Sequence, residues 1–174
     1  AFDASKISVI ETTDLVGLAI SQIAALNEEQ ILVLTTLQMT VLNTTQVRAF
    51  NPYFSTAQIQ ILKSEQVGVL TTQQISSFNT TQINAITTEA FSTLTSAQIL
   101  ALTTLQINAI NDSHIQALNP IQISKFTTAQ FSAMSDANLQ ILETLQIAAL
   151  HSAHINVLTS SQLTLFDLNQ IASI

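Results

Sequence analysis

The 174-residue chain contains no cysteine, which excludes disulfides, thiolate nucleophiles and thiolate metal sites. It has two glycines and two prolines, too few for the turns of a β-solenoid or for a glycine-rich phosphate loop. Basic residues are limited to Lys6, Arg48, Lys63 and Lys125 against eleven acids, for a net charge of −7. A chain so poor in cations is not built to neutralise a phosphate backbone, so a nucleic-acid binder is not expected. Nor does it carry a basic amphipathic face for an anionic membrane. No apolar run approaches the ~20 residues of a membrane span, so membrane insertion is not expected either. Charged residues total only 9 %, where ordinary globular domains carry about 25 %. Gln, Thr, Ser and Asn stand in their place, while hydrophobic residues, at 47 %, are sufficient for a folded core.

What the chain has in abundance is one phrase. Residues 103–110 read TTLQINAI, residues 71–78 TTQQISSF and residues 95–102 TSAQILAL. With the eight positions lettered a to h, the sequence divides from Asp3 into twenty-one octads, over residues 3–50 and 55–174, separated by Asn51-Pro52-Tyr53-Phe54. Positions e and h are apolar in all twenty-one copies, from Ile7 and Ile10 to Ile171 and Ile174. Position d is Gln in fifteen, and position a is Ser, Thr, Asn or Asp in sixteen.

The spacing e to h is three and h to the next e is five, which no strand alternation produces. In one continuous helix, eight residues turn through about 800°, so the apolar stripe would slip by about 80° per octad. One short helix per octad remains. Position a is then the N-cap, whose side chain accepts from the first-turn N–H groups, and Gln at d completes a capping box. Pro120 falls on the first helical residue, where proline is best tolerated. All eleven acids lie at positions a to d, the end of a helix that favours negative charge. Helices this short are unstable alone. The predicted fold is therefore all-α: an α-solenoid or superhelix in which e and h build a continuous core. Positions a and d cap the helices, and b, c and f face outward with Thr, Ser, Asn, Gln and acids.

One domain is predicted over residues 1–174. The interruption at 51–54 is read as a half-unit, with Asn51 as cap, Pro52 as first helical residue, Phe54 as apolar end, and a kink or register change in the winding. Phe2 and the degenerate octads up to Leu18 read as a worn first cap. The array stays in phase to Ile174 with no polar closing unit, which predicts either continuation in a longer array or end-to-end association through the C-terminal end.

Candidate sites are few. His151 and His154 stand three apart and form the one candidate metal pair. The competing reading makes His151 a substitute for a cap Thr and His154 a substitute for a d-position Gln, as His114 is elsewhere. Tyr53 and Phe54, beside the interruption, are a candidate partner-binding irregularity or a packing accommodation. No nucleophile–base–acid set can be assembled, and no catalytic residue, cofactor site or further metal site is expected. The Gln column is read as bonding its own cap or the corner of the next octad, with a stacked amide ladder as the alternative. A flat hydroxyl lattice of the Thr at a and b, matched to ice or a glycan surface, is a further reading, set against simple capping.

The runs LTTLQINAI and LTSAQILAL resemble the LTTxQIxAL arrays of large, repetitive bacterial proteins of secreted or surface type. The likeness extends from about Ala19 to Ile174, with Ala90, His114, Asn138 and His154 departing from Gln at position d. The resemblance implies an extended, non-enzymatic repeat region, and brings no catalytic or ligand residues with it. The expected function is a structural or scaffold module presenting a polar, acidic surface to a protein or glycan. The second expectation is a specific partner-binding module of a secreted effector or adhesin.

Overall fold

A computed structural model describes residues 3–174, so the expectation placed on Phe2 lies outside the described residues. Twenty-one α-helices of four to six residues follow one another, from Ala4–Ile7 to Leu168–Ala172, and no strand occurs among the described residues. Every helix starts one residue after an octad's position a. Sixteen of the twenty-one N-cap side chains accept a hydrogen bond from the first turn; the exceptions are Glu11, Ala19, Lys63, Glu143 and His151. Pro120 opens the helix Pro120–Ser124.

The corners explain the scarcity of glycine. In octad 103–110 the chain enters through Leu102 (φ −62°, ψ 131°) and Thr103 (φ −75°, ψ 159°), two extended residues in succession. No described residue has positive φ. A corner made of position h and the next position a needs no left-handed backbone, so any L-residue of suitable polarity fits there.

The contacts fall into two compact units, residues 1–93 and 94–174. The boundary lies between the helices Thr88–Phe91 and Ser96–Ala101, and the interruption at 51–54 sits inside the first unit. In the first unit, away from the interruption, helices stack on the one three octads earlier: Glu28–Leu32 on Ala4–Ile7, Thr44–Ala49 on Ile20–Ala24, and Thr80–Ala85 on Thr56–Gln60. The second unit repeats this with Thr128–Ser132 on Thr104–Ala109 and Thr144–Ala148 on Pro120–Ser124. Stacking buries the e column from Ile7 to Ile147 almost completely. The h column is buried from Leu26 to Leu142. Full burial of one such side chain is worth about 1.5–3 kcal/mol, which offsets the poor helix propensity of doubled threonines.

The interruption forms no helix, contrary to the cap-and-proline expectation. Only three residues follow Asn51 before the next octad, one fewer than the shortest helices of the chain, too few to close a helical turn. Residues 51–54 instead turn tightly, with the Tyr53 N–H donating to the Asn51 carbonyl at 2.8 Å. The register change is real, however. Around this segment the stacked pairs are Thr36–Val41 with Thr56–Gln60 and Thr44–Ala49 with Ser64–Val67, two helices apart and not three. The half-unit takes the place of one helix in the turn.

Candidate functional site

The most elaborate chemistry in the molecule belongs to position d. At Thr103 the capping box is reciprocal: Thr103 Oγ1 accepts from the Gln106 N–H at 3.2 Å, and the Thr103 N–H donates to Gln106 Oε1 at 2.7 Å. Where position a has no suitable acceptor, the d side chain still holds the corner. The Lys63 N–H donates to Gln66 Oε1 at 2.9 Å and the Glu143 N–H to Gln146 Oε1 at 2.8 Å.

The other half of the amide does what the sequence did not reveal. It reaches back one turn of the winding. Gln130 Nε2 donates to the carbonyls of Ile99 (2.9 Å) and Leu102 (2.7 Å), residues 31 and 28 positions earlier. Gln146 does the same to Ile115 and Leu118, and Gln38 to Ile7 and Ile10. Across the half-unit the reach shortens to 27 and 24 residues, as for Gln74 on Val47 and Phe50. Of the two expected partners, its own cap is the one these glutamines bond, and the second partner is a corner of the preceding turn and not that of the next octad. For these glutamines the partners are main-chain atoms, so they clasp successive turns of backbone and do not form an amide ladder. The e carbonyl already accepts from the N–H at h, as Ile99 does from Leu102 at 3.2 Å, and the buried amide of the following turn adds a second donor to it and a donor to the h carbonyl.

Asn51 substitutes for a Gln in this role. Its Nδ2 donates to the Leu26 carbonyl at 3.3 Å, one turn back. This contact explains why the half-unit begins with Asn even though it caps no helix. Phe54 fills the h position, 1 % exposed, edge-on between Phe50 (5.6 Å) and Phe78 (6.0 Å). Of the candidate pair, Phe54 is a core residue and only Tyr53, 41 % exposed, is open to a partner.

His151 and His154 are brought together, with ring centroids 5.5 Å apart. Both nitrogens of buried His154 are engaged with backbone: Nδ1 accepts from the His151 N–H at 3.1 Å, and Nε2 donates to the Phe126 carbonyl at 2.7 Å. The partners assign the Nε2–H tautomer. His154 thus reproduces both bonds of a d-position Gln, and ligating a metal would break one of them. No group of three or more His, Asp or Glu is arranged for a metal among the described residues. No helix among them is long and apolar enough to cross a membrane.

The outer face differs from expectation in one respect. Position c is exposed in every octad, but Leu37, Leu105, Ile121 and Leu145 occupy it beside the polar residues. Ile121 and Leu145 lie on stacked helices of the second unit. These residues were visible in the sequence, in a column whose average polarity hid them.

The fold and its clasps define an all-α repeat protein of solenoid-like organisation. No family model, no curated protein and no solved structure matches the chain.

Proposed function

We propose that the chain is a non-enzymatic structural or scaffold module whose outer face meets a protein or glycan partner. One observation carries this reading: the buried polar side chains of position d are committed to main-chain bonds, so chemistry that varies from octad to octad is confined to the exposed positions b, c and f. That face holds Glu29, Glu65 and Glu89 among Thr, Ser and Ala. The lysine-poor, Thr/Gln/Asn-rich composition and the resemblance to bacterial secreted arrays support a secreted or surface setting. A glycan array and a set of basic proteins, probed at low and moderate salt, test it. The expected result is weak, salt-sensitive binding that survives any single substitution at position c. Turnover of a probe would overturn the reading.

A second reading, a specific partner-binding module, draws on Ile121 and Leu145 and on exposed Tyr53. It requires a saturable site in the second unit that is lost on Ile121→Ser with Leu145→Ser, or a separate one in the first unit that is lost on Tyr53→Ala.

A further inference from the structure

We infer that the second unit pairs side against side with a second copy of this chain, through the stack of helices Pro120–Ser124, Thr144–Ala148 and Leu168–Ala172. The proposal deepens the reading of Ile121 and Leu145 as a recognition site by naming what they recognise. The three helices lie on consecutive levels of one side of the unit, each three octads after the last. At their outward positions b and c they carry Ile121 and Leu145, each 69 % exposed, and Leu168, 88 % exposed. The stack of Asp112–Ala117 with Asp136–Gln140 instead presents Asp112 and Asp136, and exposes no large apolar side chain. The winding thus gathers onto one side residues that the octad pattern scatters. Together Ile121, Leu145 and Leu168 expose on the order of 400 Å² of surface, the size of patch that marks an interaction site on a monomer.

The charges at the edges of the stripe select its occupant. Lys125 is the C-cap of the first of these helices, while Glu143 and Asp167 are the N-caps of the next two. All three residues are exposed. Stacked helices run the same way, so the cation flanks one side of the stripe and the carboxylates flank the other. A face with opposite charges on its two edges is complementary to itself. When two copies turn these faces together about a two-fold axis, each Lys125 meets the Glu143 of the other copy, and each apolar stripe covers the other. The contact is isologous: both charge pairs form at once, and association stops at a dimer. The net charge of −7 on each copy opposes it, and the area lies below the roughly 1,200 Å² at which stable interfaces begin. The dimer is therefore weak and forms at high protein concentration.

Sedimentation velocity up to millimolar concentration tests this on the full 174-residue chain, with circular dichroism to confirm that each variant is folded. The wild type shows a reversible monomer–dimer equilibrium. Ile121→Ser with Leu145→Ser stays monomeric, whereas Leu105→Ser, which removes a comparably exposed leucine from another stack, dimerises as the wild type does. Lys125→Glu weakens the dimer by about fivefold, and adding Glu143→Lys restores it. The restoring change suits the fold, because Lys63 already stands at position a of its own octad. Monomers throughout for the wild type overturn the proposal. So do dimers undiminished in the double Ser variant, growth beyond a dimer, or a charge exchange that fails to rescue Lys125→Glu. A wild type that binds a glycan or a basic protein through Ile121 and Leu145 while remaining monomeric overturns the self-pairing alone and leaves the recognition reading in place.

Discussion

Exchanging Gln130 for Glu alters one group in the molecule's main clasp while keeping its shape. Gln130 is 3 % exposed. Its Oε1 accepts from the Thr127 N–H at 2.8 Å, a bond that a carboxylate oxygen retains. Its Nε2 donates to Leu102 and Ile99 at 2.7 and 2.9 Å, and an ionised Glu would set a second oxygen against those two carbonyls with no proton between them. A buried, uncompensated charge of this kind costs about 3–5 kcal/mol. Gln130→Ala, which removes the same bonds without adding charge, costs about 2–4 kcal/mol, from the orphaned Thr127 N–H and the weakened carbonyls together. The two variants separate charge from hydrogen bonding. Burial and the facing carbonyls raise the carboxyl's folded-state pKa above its unfolded value of about 4.3, because its protonated form can donate to one carbonyl. The stability deficit relative to wild type is therefore smallest below that unfolded value and widens as pH rises through the raised folded one. Denaturant melts followed by circular dichroism at a series of pH values read this difference. A Glu variant as stable as wild type at neutral pH, or a deficit that does not change with pH, would refute the clasp.

Four further outcomes follow from the same geometry and are read by thermal or denaturant unfolding. Asn138 is too short for both of its tasks: Nδ2 reaches the Ile110 carbonyl at 2.8 Å, but buried Oδ1 has no partner. Asn138→Gln is expected to stabilise by about 1–2 kcal/mol by adding the bond to the Ser135 N–H, and a loss of stability would show that the site has no room for the longer chain. Gly68 lies at φ −60° with its nearest potential Cβ contact at 3.4 Å, so Gly68→Ala should stabilise by about 0.4–1 kcal/mol. Thr103→Ala removes a cap acceptor and should cost about 0.5–2 kcal/mol, with no loss refuting the capping box. Ile107→Ala should cost about 2–5 kcal/mol, whereas Ile171→Ala, at the same octad position but half-exposed in the last turn, should cost less than about 1 kcal/mol in dilute solution.

The local rules were legible because each octad carries its own signals. Thr103 and Gln106 are three residues apart, Pro120 opens its helix, and the acids crowd the helix starts; these are interactions within one turn of chain. The long-range half of the clasp was not legible. Nothing in the spacing of Gln130 and Leu102 distinguishes a partner 28 residues away from one eight residues away, because a perfect repeat looks the same at every multiple of its period. The number of octads per turn is set by side-chain packing and corner angles, which the eight-letter phrase does not encode. Asn51 shows the same boundary. Its cap-like identity and the following proline mimic a helix start, yet its amide serves the Leu26 carbonyl, and the shortened reach of Gln74 became visible only when the half-unit was seen to fill one place in the turn.

The absences in the composition follow from these contacts. A corner formed by extended residues at h and a leaves glycine without an advantage, and the two glycines, Gly17 and Gly68, sit at helix C-caps in ordinary right-handed backbone and not at such corners. Most e and h carbonyls in a stacked turn face a buried position d that donates without carrying charge, buried Ala90 being an exception. Gln meets that demand with an amide whose oxygen also closes its own cap; Asn meets half of it, and neutral His meets both halves, as at His154. Lys and Asp occupy position d only at Lys6 and Asp14, and both are exposed. Low charge, many amides and scarce glycine are therefore one property seen three ways. A substitution that places a charge at d inside either unit opposes stacking, while one at c leaves it intact. Variation at position c is thereby freed to serve recognition, and the exposed Ile121 and Leu145, on consecutive levels of one stack, show that position already carrying residues the fold does not require.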